Sequence, residues 1–189
     1  MRDTTAPPFN GADGLIASFV TPTCRRFFDH WKSLIKGGLV PQCSDFFDRP
    51  PYDLIGSCFI FEVLPEGLLV RFMGSRMTDL WQDEFTGLYL GSRIAPALSK
   101  KFQRDVETIC RHPVGLRLSG ETNTSLGRTI DVEAICLPLA VQNNRPPRCV
   151  RFSQALGELK WDERKTTFVW NNPEWIDLGA GKPSNLTYR

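Results

Sequence analysis

Two short apolar runs, Cys58-Phe59-Ile60-Phe61-Glu62-Val63 and Leu68-Leu69-Val70-Arg71-Phe72-Met73, flank a turn at Pro65-Glu66-Gly67. Nothing else in the chain constrains its fold as much. Runs of this length, rich in β-branched and aromatic residues and separated by Pro and Gly, predict two strands joined as a hairpin. Gly74 breaks the second run. Further on, Val114, Leu116 and Leu118 alternate with Gly115, Arg117 and Ser119, and Ile130, Val132 and Ala134 alternate with Asp131 and Glu133. That period of two predicts strands with one buried face and one wet face. Val150 and Phe152, after a polar loop at 142–148, complete the set of five.

Two helices stand out between the strands. Thr21-Pro22 places an N-cap before a proline suited to the first helical position. Phe27, Phe28, Trp31, Leu34 and Ile35 then recur at helical spacing until Gly37-Gly38 stops the pattern. The second helix, about 96–111, shows Leu98, Phe102, Val106 and Ile109 on one side and Lys100, Gln103, Arg104 and Glu107 on the other. Residues 39–57, with Pro41, Pro50 and Pro51, read as a loop, and 75–96 as short helical turns broken by Gly87 and Gly91. The predicted organisation is an N-terminal tail (1–20), a leading amphipathic helix (21–38), an α+β domain (39–157) and a C-terminal extension (158–189). That extension carries Trp161, Trp170, Trp175 and a short strand at 166–170.

A chain of 189 residues suits one domain with tails. The net charge of +2 comes without a cluster of Lys and Arg, which argues against nucleic acid and against an anionic membrane surface as partners. No apolar run reaches the roughly 20 residues that span a bilayer, and the first ten lack the apolar stretch of a secretion signal, so a soluble cytoplasmic protein is expected. Six scattered cysteines show neither CxxC nor metal-ligand spacing and read as reduced thiols.

The order of elements, together with Phe27-Phe28-Asp29-His30-Trp31, Gly74-Ser75-Arg76, Asp83-Glu84-Phe85-Thr86-Gly87 and the 130–139 strand ending in Leu-Pro-Leu, resembles a PAS-like family common in bacteria. The resemblance covers about residues 23–157. It implies a PAS-like five-stranded antiparallel sheet with helices over one face, plus the leading helix. It also implies a stand-alone sensory or regulatory role in signal transduction, through small-ligand sensing, docking of a protein partner, or homodimerisation through the leading helix. Trp81-Gln82 departs from a Phe-Gly common in relatives, which puts a bulky ring where a cavity would lie.

On that resemblance, a ligand cavity between sheet and helices would be walled by Phe61, Met73, Met77, Trp81, Ile94, Phe102 and Val106, all of which also suit a plain core. Arg76 would meet a ligand anion or pair with Asp79, Asp83 or Glu84. The interface candidates are Phe27, Phe28, Trp31, Leu34 and Ile35, which either cap the sheet or pair with a second copy. No cofactor is implied. Haem is disfavoured because the two histidines, His30 and His112, fall outside the expected cavity. No nucleophile motif accompanies either histidine, so no catalytic or metal residues are assigned, and no enzyme is expected. The alternative is a small-molecule carrier or enzyme on the same α+β scaffold, with Arg76 and an acidic side chain turned inward. The aromatic extension is the expected docking point for a partner, dispensable for folding.

Overall fold

The computed structural model describes residues 19–142, 144–157 and 165–183, giving the backbone alone for 165–172. Helix α1 (Pro22–Ser33) begins as the sequence dictates: the Thr21 hydroxyl accepts the Cys24 amide at 3.1 Å, and Pro22 occupies the first turn. A second helix, α2 (Cys43–Asp48), lies inside the stretch expected to be loop. Strands β1 (Cys58–Leu64) and β2 (Gly67–Met73) form the hairpin. Helices α3 (Ser75–Trp81) and α4 (Pro96–Arg111) follow, then β3 (Val114–Thr124), β4 (Thr129–Leu139), β5 (Arg148–Ala155) and β6 (Lys165–Asp177).

All six strands belong to one antiparallel sheet in the order β2-β1-β5-β4-β3-β6. The expected five are joined by β6, which runs 13 residues rather than the short 166–170 segment read from the sequence. The extension therefore continues the sheet along β3, with Val114 opposite Asp177 and Leu116 opposite Trp175.

Helices cover both faces. On one side α1 and α2 pack Phe27, Trp31 and Phe46 against Ile60, Ile135, Leu137, Val150 and Phe152. On the other, α3 and α4 pack Met77, Phe102, Val106 and Ile109 against Phe59, Phe61, Leu116, Ala134 and Cys149. Alternate residues of β1, β4 and β5 thus serve two cores. This is why Cys58–Phe61 is apolar on both faces, as strands covered on each side are. The expectation of helices over one face holds for α3 and α4 and is completed by α1 and α2 on the other.

The leading helix spends its aromatic stripe within its own chain. Phe27 stacks on Phe152 with centroids 4.9 Å apart, and the Trp31 indole N–H donates to the Pro138 carbonyl at 3.0 Å. Trp31 and Leu34 are each 1% exposed and Phe28 8%. Burying each such side chain stabilises the fold by about 1.5–3 kcal/mol. Phe27, Phe28, Trp31 and Leu34 retain almost no surface with which to meet a second copy, and Ile35 packs at the margin of the same core. Of the two uses expected of the stripe, capping the sheet is the one seen here: its apolar demand is met within the chain.

Gly74 fixes the junction of β2 and α3. A Cβ there would lie 2.4 Å from the carbonyl oxygens of Ile55 and Gly56, so only glycine lets this chain reversal pack against the 3-10 turn at Ile55–Ser57. No helix of the described residues is long and apolar enough to cross a membrane.

Candidate functional site

Between the sheet and α3–α4 lies a cavity of about 30 Å³, room for about one water. Phe59 and Phe61 form its floor from β1, with parallel rings 5.5 Å apart. Phe102 and Leu98 close it from α4, Phe102 meeting Phe61 edge-on at 5.4 Å. Trp81 from the end of α3, with Leu90 and Ile94 from the connecting segment, forms the outer wall. Trp81 is itself held at 5.3 Å from Phe85.

The charged group in this wall is Arg151 of β5, whose guanidinium lies 5.4 Å from the Phe102 ring centroid. That distance is within cation–π range. Burial pushes the Arg151 guanidinium below the usual arginine value, the neighbouring Cys136 and Cys149 acting the other way. An arginine keeps its proton under such conditions, so the cavity holds a cation against aromatic faces.

Phe61, Trp81, Ile94 and Phe102, expected from the sequence, line this cavity. Met73, Met77 and Val106 belong to the surrounding core, where the Met73 sulfur accepts the Phe85 amide at 3.3 Å. Arg76 does not: it is exposed and donates to the Asp53 carbonyl at 3.4 Å. Two of its three expected acidic partners, Asp83 and Glu84, are engaged elsewhere on the surface. Asp83 pairs with Arg93 at 3.4 Å, and Glu84 accepts from the Thr78 hydroxyl and the Thr86 amide. Those Thr86 and Thr78 bonds hold the Glu84 carboxyl below its ordinary range. The inward-facing Arg76–acid pair that a carrier or enzyme would need is absent among the described residues.

Sequence reasoning missed Phe59, Leu90, Leu98 and Arg151. Phe59 sits two residues from Phe61, so the strand period alone places both on one face. Arg151 lies between the buried Val150 and Phe152 and therefore reads as solvent-facing in a sheet with one wet face. It becomes half-buried because this sheet has none there.

Neither histidine reaches the cavity. The His30 ring nitrogen meets the Arg49 carbonyl at 2.9 Å, and that of His112 meets the Gly181 carbonyl at 2.8 Å. Cys110, Cys136 and Cys149 gather beneath the C-terminal half of α4. Burial raises the Cys149 thiol well above its ordinary value and pushes Cys110 up to about 12, which leaves them poor nucleophiles. None of the six cysteines is bonded to another. Trp161 and the side chain of Trp170 lie outside the described residues, and Trp175 is half-buried along β6.

A family model described as PAS domain matches residues 19–152, more than half of the chain. The chain belongs to the PAS domain family, a family of sensory and regulatory modules. No curated protein matches its sequence.

Proposed function

We propose that this chain is a regulatory module that senses a small apolar ligand in the cavity between its sheet and α3–α4, and passes that state to a protein partner in the cytoplasm without catalytic chemistry of its own. The observation that supports this reading is the aromatic cavity with a cation in its wall. Apolar walls with few polar groups are what small-molecule sites have in common. Trp81 is the natural gate, because it forms the outer wall and is only half-buried.

Trp81→Ala tests the idea. The smaller side chain should enlarge the cavity enough for a single ring, at a stability cost of about 2–3 kcal/mol for a half-buried tryptophan. Benzene or indole added to this variant should shift the NMR signals of Phe59, Phe61 and Phe102. The wild type should respond to the same probes more weakly, through transient opening at Trp81. Native mass spectrometry of protein purified from its source cells then identifies the natural occupant by mass. If neither protein takes up a probe and no adduct is retained, the sensing reading falls.

A further inference from the structure

We infer that the cleft between α2 and the β4–β5 turn, on the opposite side of the sheet from the aromatic cavity, is a binding site for a small aromatic acid, an aryl group bearing a carboxylate or a phosphate. The cleft has a volume of about 320 Å³, within the range of small-molecule sites. It is lined by Gln42, Ser44, Phe47, Gln142, Arg145 and Arg148, among others.

Its floor is fixed by backbone ties. The Cys43 amide donates to the Ala140 carbonyl at 2.8 Å, and the Ala140 amide donates to the Pro41 carbonyl at 2.9 Å. The start of α2 and the end of β4 are thus one surface, and a ligand meets a formed cleft.

The charge of the cleft is one-sided. Arg145 and Arg148 line it, and no carboxylate does among the described residues. Arg148 is held in place: one terminal nitrogen donates to Glu62 at 3.1 Å and the other to the Cys43 sulfur at 3.5 Å. Burial would lower the Arg148 value, but these contacts with Cys43 and Glu62 outweigh it, so Arg148 stays fully charged. Glu62 cannot neutralise it alone, because both Glu62 oxygens also accept from Arg71. Asp45 of α2, buried beside the lining residue Ser44, is committed to Lys36 at 2.6 Å. Arg145 is exposed and has no ion-pair partner among the described residues. The Arg145 fork, the Arg148 charge beside it and the amide and hydroxyl donors together favour an oxyanion.

The apolar half of the ligand is set by Phe47. Its ring is 45% exposed and is held edge-on by Phe46 and Phe72 at 6.1 and 6.4 Å. A fixed aromatic face beside an anion cradle selects a flat acid over a bare inorganic ion.

Titrating the full chain with phenyl phosphate, benzoate and phenol, followed by amide NMR shifts, tests this. One or both acids should shift Ser44, Phe47, Gln142 and Arg148 in a saturable way, and phenol should not. Which acid binds more tightly separates a phosphate ligand from a carboxylate one. Arg145→Ser should weaken the bound acid about fivefold or more with the melting temperature unchanged, since this exposed side chain makes no ion pair among the described residues. Arg145→Lys should recover part of the loss. Raising the ionic strength from about 0.05 to about 0.5 M should weaken binding in the wild type more than in Arg145→Ser. Equal affinity for phenol, unchanged affinity in Arg145→Ser, or shifts confined to the aromatic cavity would each overturn the site. The aromatic cavity can fail its own test without affecting this one, because the two lie on opposite faces of the sheet.

Discussion

Replacing Glu133 by alanine is expected to destabilise the protein by about 3–5 kcal/mol, the usual cost of removing one partner of a buried ion pair. Glu133 is fully buried on β4 beneath the start of α1. Its carboxylate accepts from the Val20 amide at 2.9 Å, the Thr21 amide at 2.9 Å, the Thr21 hydroxyl at 2.7 Å and Arg117 at 2.7 Å. The same Thr21 hydroxyl caps α1, so one carboxylate orders the cap that begins the leading helix. Truncation leaves the Arg117 charge, only 8% exposed, with Glu174 alone at 3.2 Å, and frees the buried Thr21 amide together with that of Val20 at the surface. Urea unfolding measures the loss, and a cost below about 1 kcal/mol would show that water replaces the carboxylate at little expense.

The same group sets a pH dependence. Burial alone would raise the Glu133 value, but the bonds from Thr21, Arg117 and the Val20 amide outweigh it and hold the carboxyl below its ordinary range. Glu62 is likewise held low, by Arg71 first and then Arg148 against the opposing effect of burial. A folded value below the unfolded one means that the unfolded chain binds the proton first. The stabilisation is therefore present above the unfolded glutamate value of about 4.3 and is lost as pH falls through the lower folded values. Wild-type stability should fall steeply below about pH 5. In Glu133→Gln the slope of that fall should be shallower, because one of the two carboxylates no longer titrates.

Most of the misreadings come back to the faces of the sheet. Strands β1 to β5 were legible because alternation and turn residues are local signals, and α4 was legible because its apolar side recurs at helical spacing. What could not be read was which side of the sheet is wet. With α1 and α2 over one face and α3 and α4 over the other, Glu133 and Arg117 are interior residues, and Arg151 a half-buried one, that alternate with apolar ones like surface residues. The aromatic stripe of α1 demanded a partner surface, but its spacing is identical whether that surface is the sheet of the same chain or a second copy. Helix α2 is six residues long, too short for a period to show. Half of the cavity wall was visible as apolar spacing, and its cation was not, because a lone arginine in a strand carries no local mark of burial.

Deleting residues 158–189 is expected to remove most of the folded population, contrary to the dispensable tail that the sequence suggests. Strand β6 pairs with β3 from Val114 to Thr124, so its loss exposes a long new sheet edge. It also removes Ile176, 2% exposed and part of the core beneath α1, whose truncation alone should cost about 2–5 kcal/mol. Gly115 marks how closely the strands approach there, since an added Cβ would lie 3.1 Å from Ile176 Cβ. Glu174 goes as well, leaving Arg117 to Glu133 alone. The sum approaches the roughly 5–15 kcal/mol that holds a whole domain together. Circular dichroism and thermal unfolding of the truncated chain measure this directly. Ile176→Ala provides a milder variant, expected to fold with a lowered midpoint. Should the truncated chain melt like the full one, β6 is an ornament on a self-sufficient five-stranded sheet, and the extension is free to serve a partner. Should it unfold, any partner that engages the extension engages a strand hydrogen-bonded to β3. The path from that strand to the leading helix is then three side chains long, from Glu174 through Arg117 to Glu133 and the cap of α1.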